Sequence, residues 1–165
     1  MTLSTRLSSI TGTRRPAAHV ETILLATDLS PASAAATDQA IDLAARLEAR
    51  LLVVHVLGSS RSMGGFGRSS RPETREDRAR LAQSVVLDAR ATGVEATFVL
   101  WDGEPGSGIL AVADAEGADL IIVGSHARGT VGRHLLGSVS DYVVHHAACP
   151  VLVVRPTEDG TEPAP

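Results

Sequence analysis

The stretch DLIIVGSHARGTVGRHLLGSVSDYVVHHAACPVLVVRP, residues 119–156, decides the fold. It begins with an apolar run, Leu120 to Val123, between an acid and a glycine, which is typical of a strand buried on both faces of a parallel sheet. A polar loop follows, and then a predicted helix that begins near Ser138. The helix pattern places on one face Val139, Val143 and Ala147. A second apolar run, Val151 to Val154, completes a predicted βαβ crossover.

The start of the predicted helix has the features of an anion site. Backbone N–H groups and the positive end of the dipole attract anions there, and glycines let a phosphate approach the backbone closely. Gly124 and Gly137 bracket the loop. A structural interpretation is equally open, in which Ser138 and Asp141 form a capping-box-like pair and Gly137 supplies a turn with positive φ.

Two common phosphate-binding motifs are excluded. Gly124 and Gly129 have the spacing of the P-loop glycines, but Thr130 stands where the lysine is required. No G-x-G-x-x-G occurs in the chain, so the dinucleotide fingerprint is absent as well. Ser138 is not in a G-x-S-x-G elbow, and no base accompanies it, which argues against a hydrolase triad.

The rest of the chain predicts three more strands, and the fold is a doubly wound five-stranded parallel sheet of order 3-2-1-4-5 with helices on both faces. The first three strands are predicted at Thr22–Ala26, Leu51–Leu57 and Val94–Trp101. The first helix begins at Ser30-Pro31, with serine as cap, and has a buried stripe of Ala36, Ala40, Leu43, Ala44 and Leu47. The second opens at Pro72 and packs through Ala82, Val85, Val86 and Ala89, and the third covers Glu104–Glu116.

The strand order places two polar segments together. The direction of winding reverses between strands 1 and 4, and ligands of open α/β sheets bind at such a switch point, outside the carboxyl ends of the strands. Strand 1 ends at Thr27-Asp28 and strand 4 at Gly124. Asp28 has a structural role available, the satisfaction of backbone N–H groups at the first helix, beside contact with a ligand.

Composition and charge exclude several classes of protein. The chain has 165 residues, 44% hydrophobic and 21% charged, with a formal net charge of −4, so it lacks the basic surface expected of a nucleic-acid-binding protein. No segment is long and apolar enough for a membrane span or a signal peptide. One cysteine excludes an internal disulfide, and we expect a cytoplasmic protein. A flexible arm over residues 1–20, a binding domain over 21–156 and a disordered tail over 157–165 are predicted.

The residues quoted above resemble the universal stress protein signature. Gly124-x-x-Ala127, nine residues, Gly137-Ser138-Val139-Ser140 and then Cys149-Pro150 match it. ILLATDLS over 23–30 and VVHV over 53–56 extend the resemblance to roughly 21–156. Nucleotide-binding members of that family have a second glycine where this chain has Ala127, which puts nucleotide affinity in question and leaves the fold unaffected.

The resemblance implies a set of site residues and a ligand. The ligand is ATP, or ADP or AMP, with Mg²⁺ near Asp28. The adenosine pocket is lined by Ala26, Thr27, Val56 and Val123, and the phosphates are held by Gly124, Ala127, Gly137, Ser138, Val139 and Ser140. It also implies a homodimer through the last strand, Val151, Leu152, Val153 and Val154, with an unidentified protein partner in a stress response.

Other groups of residues have weaker functional interpretations. Arg128 and Arg133 are candidates for phosphate pairing, and Arg61, Arg68 and Arg71 for a lid, although solvated loop arginines are common. His145, His146 and Cys149 match no zinc spacing, so a metal site is disfavoured.

Three functions therefore remain open. The first is a dimeric nucleotide-binding regulatory module, with at most slow ATP hydrolysis. The second is a protein of the same fold that binds no nucleotide, which Ala127 favours. The third is a related adenylylating enzyme, which is disfavoured because the loop after strand 1, over 26–31, contains no glycine.

Overall fold

Strands of four to eight mostly apolar residues build the sheet in the computed structural model, which describes residues 19–58, 74–125 and 136–155. All the strands of this sheet are parallel, and their order is β3-β2-β1-β4-β5. The predicted fold class and strand order are confirmed. The strands are β1 Thr22–Ala26, β2 Arg50–Leu57, β3 Ala96–Asp102, β4 Leu120–Gly124 and β5 Val151–Val154.

Helices cover both faces of this sheet. A 3₁₀ turn, Pro31–Ser33, leads into α1, and the helices are α1 Ala34–Leu47, α2 Arg75–Ala91, α3 Pro105–Glu116 and α4 Ser138–His146. The apolar cluster on one face contains residues of α1 and α2, including Ala40 and Val86. The cluster on the other face contains residues of α3 and α4, including Ile109 and Val143. The central strands are therefore buried on both sides, which explains the unbroken apolar runs of β1 and β4.

Several predicted boundaries and one predicted core residue are wrong. Leu47 is the last residue of α1 and is 40% exposed, and the chain leaves the helix there through Glu48, which has a φ of 54°. The second helix begins at Arg75, since Thr74 caps it in a capping box with Asp77, while Pro72 lies outside the described residues. The third strand is shifted and covers Ala96–Asp102, and the third helix begins one residue later than predicted, at Pro105.

Strand β1 occupies the centre of the sheet and fixes the candidate site. Its last residue, Ala26, pairs with Val54 of β2 on one side and with Val123 of β4 on the other. At its amino end, the Asp119 carboxylate accepts hydrogen bonds from Glu21 N at 2.9 Å and Thr22 N at 3.0 Å. Its carboxyl end therefore lies where the winding reverses, at the predicted switch point.

No helix in the described part of the chain is long and apolar enough to cross a bilayer. The predicted arm over 1–20 and the predicted tail over 157–165 lie outside the described residues, except for His19 and Val20.

Candidate functional site at the switch point

The loop after β1 is held by hydrogen bonds among its own side chains. Thr27 Oγ1 accepts from Leu29 N at 3.0 Å and lies 2.9 Å from Ser33 Oγ. The Ser33 hydroxyl donates to Ser30 O at 2.8 Å, so the Thr27 hydroxyl is the donor toward Ser33. Leu29 has a φ of 60°, in the left-handed region that residues with a Cβ adopt at a cost of about 1–2 kcal/mol. The surrounding bonds hold the loop in this shape.

Asp28 lies in the middle of the loop. Its Oδ1 accepts hydrogen bonds from Ser30 N at 3.0 Å and from Ser30 Oγ at 2.6 Å. Asp28 therefore has the expected structural role, in which its carboxylate accepts a hydrogen bond from a backbone N–H near the start of the first helix. The predicted serine cap is wrong, because the Ser30 hydroxyl donates to Asp28 and no side chain caps the turn at Pro31–Ser33.

Two residues from other elements contact the backbone on either side of Asp28, and sequence reasoning assigned neither to the site. His55 of β2 is buried, and its Nδ1 lies 2.9 Å from Thr27 O, so this nitrogen carries the proton it donates. Arg78 of α2 donates from Nη1 to Asp28 O at 2.9 Å. His55 had two sequence signals, as a lone polar residue within the apolar run of β2 and as part of VVHV in the family resemblance, but Arg78 had none.

The predicted adenosine wall lies on one face of the sheet. Ala26, Val56 and Val123 belong to the apolar cluster beneath α3 and α4 or pack against it. Ala26 and Val123 are buried neighbours on paired strands, and Val56 is half-buried near the end of β2. The structure therefore brings these three together, although core packing alone explains Ala26 and Val123 equally well.

An indole side chain extends this wall. Trp101 pairs with Val56 in the β2–β3 register and is 42% exposed. The absence of a side chain at Gly108 makes room for it, since a Cβ there would lie 2.8 Å from Trp101 Cδ1 and 3.3 Å from Val56 Cγ2. Trp101 was not among the predicted site residues.

The end of β4 and the start of α4 are joined directly. Ser140, in the first turn of α4, is buried, and its hydroxyl donates to Gly124 O at 2.6 Å. Ser125 N, just beyond the strand, donates to Val154 O of β5 at 2.8 Å. Gly124 therefore lies close to the first turn of α4, which contains Ser138, Val139 and Ser140. The hydroxyl of Ser140 already donates to Gly124 O. If Ser140 contacts a phosphate, the contact is therefore made by its backbone N–H.

Gly137 is the N-cap of α4, and this corrects both structural interpretations of the helix start. Its φ is −62° and its ψ 153°, so the turn with positive φ is wrong. Ser138 is the first helical residue rather than the cap, and Asp141 donates its N–H to Gly137 O at 2.8 Å, so the capping-box-like pair is wrong as well. Within the described residues no side chain caps α4. The N–H groups of its first turn have no intrahelical acceptor, as at every helix start.

Several predicted ligand residues lie outside the described residues. They are Ala127, Arg128 and Arg133 in the loop after β4, and Arg61, Arg68 and Arg71 in the connection after β2. Their predicted roles stay predictions.

His145, His146 and Cys149 lie between the end of α4 and the start of β5, near the amino ends of the strands and away from the candidate site. His145 Nδ1 and His146 Nδ1 each lie 2.8 Å from the carbonyl oxygen four residues earlier in α4. Cys149 lines a cavity of about 180 Å³ together with His146 and Asp114, and burial raises the pKa of its thiol. Among the described residues, no three His, Cys, Asp or Glu side chains are grouped closely enough to hold a metal.

Taken with its strand order, this arrangement defines an open α/β protein whose candidate ligand site lies at the β1–β4 switch point. Residues 19–155 match the model of the universal stress protein family. The chain belongs to that family.

Individual relatives agree with this assignment. The universal stress protein YxiE of Bacillus subtilis (strain 168) is 33% identical over 144 residues, which cover 81% of this chain and 97% of that protein. A universal stress protein of Thermus aquaticus is 40% identical over 137 residues, covering 82% of this chain and 98% of the relative. A crystal structure of a universal stress protein in complex with cAMP superposes with a TM-score of 0.65 at 25% identity, covering 83% of this chain and 98% of that one.

Proposed function

We propose that this protein binds an adenine nucleotide, ATP or else ADP or AMP, at the β1–β4 switch point, and that it acts as a regulatory module of the cellular stress response through a protein partner. The observation that carries the proposal is the start of α4. It is led by a buried glycine, has no side-chain cap in the described residues, and lies against the end of β4. A relative solved with cAMP supports an adenine nucleotide as the ligand.

The phosphates would be held by the backbone of α4. The N–H groups of Ser138, Val139 and Ser140 occupy the first turn, where an anion meets both hydrogen-bond donors and the positive end of the helix dipole. Gly124 and Gly137 have no side chain to keep a phosphate at a distance. Ala127 would complete this cradle from the loop between them.

The adenosine would lie against the wall of Ala26, Val56 and Val123, with Thr27 at its edge. The Thr27 hydroxyl already bonds Leu29 N and Ser33 Oγ, so we assign it to shaping the loop rather than to direct ligand binding. Asp28 would contact the nucleotide or the waters around its Mg²⁺, because a carboxylate is a suitable partner for that hydrated cation.

Nucleotide extraction tests the proposal most directly. Protein purified without added nucleotide is denatured, and the released small molecules are identified by mass spectrometry, beside the Gly137→Val variant prepared in the same way. We expect an adenine nucleotide at close to one per chain in the parent protein and a strongly reduced amount in the variant. Absence of nucleotide from the parent protein, together with no heat on titration with ATP and Mg²⁺, would reject the proposal.

Ala127 supports a second candidate function, a protein of the same fold that binds no nucleotide. If the bound loop requires positive φ at that position, the alanine weakens binding by about 1–2 kcal/mol. The same extraction and titration decide between the two candidates. An adenylylating enzyme is the less favoured third candidate, since the loop after β1 contains no glycine to approach a pyrophosphate.

We also propose a homodimer built through β5. This strand lies at the edge of the sheet, and all four of its apolar residues are only partly buried. An exposed apolar edge strand invites pairing with a second chain. Sedimentation at tens of micromolar should show a dimer, and Val153→Asp should give monomers or insoluble protein. A monomeric parent protein would refute the dimer.

A cytoplasmic location completes the proposal. The sequence contains one cysteine, Cys149, and therefore no internal disulfide, which is compatible with a reducing compartment.

A further inference from the structure

The backbone on both sides of Asp28 is fixed by residues from two other elements. Thr27 O belongs to the peptide plane before the Asp28 Cα, and Asp28 O belongs to the plane after it. His55 of β2 holds the first carbonyl at 2.9 Å, and Arg78 of α2 holds the second at 2.9 Å. Because two peptide planes that share a Cα determine its φ and ψ, they also determine the direction of the side chain. The direction of the Asp28 Cα–Cβ bond is therefore set from outside its own loop, while Ser30 holds the carboxylate from within it.

This loop requires external support. Leu29 lies at a φ of 60°, a conformation that persists only where the surroundings impose it. The side-chain bonds within the loop fix Leu29 N and Ser30 N, but they leave the carbonyl oxygens of residues 27 and 28 to other partners. His55 and Arg78 supply those partners from positions 28 and 50 residues away along the chain.

We infer that His55 and Arg78 are positioning residues of the nucleotide site, and that they act by aiming the Asp28 carboxylate at the ligand. This inference rests on the proposed function, because it assigns Asp28 to nucleotide binding. Arg78 also connects α2 to the switch point, so the orientation of α2 and the affinity for the nucleotide are coupled through its hydrogen bond to Asp28 O.

A double-mutant cycle tests the inference. Affinity for ATP with Mg²⁺ is measured by titration calorimetry for the parent protein, Arg78→Gln, Asp28→Ala and the combination. We expect Arg78→Gln to weaken binding about 10-fold, the factor for losing one charged positioning bond. In the Asp28→Ala background the same change should have less than about a 2-fold effect, because the residue that Arg78 positions is gone. An equal loss in both backgrounds would show that Arg78 acts on the phosphates by its charge and would overturn the inference.

Conservative variants separate positioning from folding. Arg78→Lys retains a donor and should recover most of the affinity. Asparagine can donate to Thr27 O as His55 does, so His55→Asn should bind ATP more tightly than His55→Leu. Arg80→Gln is the matched control on the same helix, since the described contact of Arg80 is an exposed one with Asp77 at 3.2 Å, and it should leave the affinity unchanged.

A measurement without ligand distinguishes failure of the inference from failure of the proposed function. The N–H of Ser30 bonds Asp28 Oδ1, so its hydrogen exchange reports how firmly the loop is held. Arg78→Gln should accelerate this exchange at least several-fold relative to the parent protein, while Arg80→Gln should not. A parent protein that binds no nucleotide rejects the proposed function and with it the role in binding. A parent protein that binds, with unchanged Ser30 exchange in Arg78→Gln, rejects the positioning role alone.

Discussion

The helices α3 and α4 begin on the same face of the sheet and pack together, yet their first turns are satisfied in different ways. At the start of α3, the Glu104 carboxylate accepts from Gly106 N at 3.1 Å and from Ser107 N at 2.8 Å. At the start of α4, Gly137 has no side chain, and no described side chain takes the place of such a carboxylate. One helix start is closed by an anion of the protein itself, and the other remains suited to an anion from outside.

The same contrast explains why a helix start alone is a poor indicator of a binding site. Both starts offer N–H groups and a positive dipole, but only α4 combines them with a buried glycine and with the end of a central strand at the switch point. The following variants test whether this difference in capping corresponds to a difference in role.

The largest expected effect is the loss of ATP binding in Gly137→Val. The backbone angles of Gly137 are accessible to valine, whose branched side chain would cover the first turn of α4. We expect the affinity to fall about 100-fold, which corresponds to about 2.7 kcal/mol. Titration calorimetry measures it, with Gly137→Ala as a graded control that should lose less. Unchanged affinity in the valine variant would remove α4 from the site.

The contact between α3 and α4 at Gly106 and Tyr142 should be almost as sensitive to substitution. A Cβ at Gly106 would lie 2.5 Å from Tyr142 Cδ1, a ring atom close to the α4 backbone. We expect Gly106→Ala to lower the free energy of unfolding by about 2 kcal/mol, as overpacking does, and urea denaturation measures this. In a Tyr142→Ala background the same change should be neutral or stabilising, since alanine is the better helix former. Equal destabilisation in both backgrounds would show that the ring is not the obstacle.

Ala127→Gly should raise the affinity for ATP at the start of α4. If the loop before this helix requires positive φ on binding, glycine should tighten ATP binding by about 1–2 kcal/mol, or about 5- to 30-fold. Calorimetry on the variant and the parent protein decides this. If the affinity is equal while Gly137→Val abolishes binding, the alanine is tolerated and the strain argument is wrong.

The cap of α3 should affect stability and leave binding unchanged. Removal of an N-cap side chain costs about 1 kcal/mol, and Glu104→Ala should show a loss of this size in thermal or urea unfolding. Its ATP affinity should equal that of the parent protein. A large loss of affinity would mean that the two helix starts are not separate in role.

The charge of this cap predicts a dependence on pH. The hydrogen bond from Ser107 N lowers the pKa of the Glu104 carboxyl, outweighing the effect of desolvation. A lowered pKa in the folded state stabilises the fold above the ordinary glutamate pKa of about 4.3, and this stabilisation is lost as the pH falls through the folded value. The stability difference between the parent protein and Glu104→Gln should therefore shrink on acidification below about pH 4. A constant difference would contradict the pKa shift.

The sheet could be predicted from the sequence because each strand is specified locally. Leu120 to Val123 has no polar residue, and only a strand buried on both faces suits such a run of this length. The strand order followed from the rules for parallel crossovers and from the resemblance. The amino end of α2 was misplaced at Pro72 because the capping box of Thr74 and Asp77 is a stronger start signal, and it was overlooked.

The candidate site was predictable only in part, because its fine geometry depends on distant contacts. The Ser30 hydroxyl was assigned to a helix cap by position, but it donates to the Asp28 carboxylate and accepts no hydrogen bond from the N–H groups of the following turn. The pairing of Ser140 with Gly124 spans 16 residues, and that of Arg78 with Asp28 spans 50. No periodicity encodes such pairs, and no motif indicated the pair of Arg78 with Asp28.

The central position of β1 also means that the strand must wait for part of its pairing during synthesis. Its amino end bonds Asp119, 97 and 98 residues later in the chain. At synthesis rates of about 5–20 residues per second, about 5–20 s pass before that partner leaves the ribosome. During that interval β1 can pair with β2 while its other edge, whose backbone N–H and C=O groups later pair with β4, stays open to the surroundings. The strand at the heart of the folded sheet is therefore the segment of the nascent chain that most needs protection.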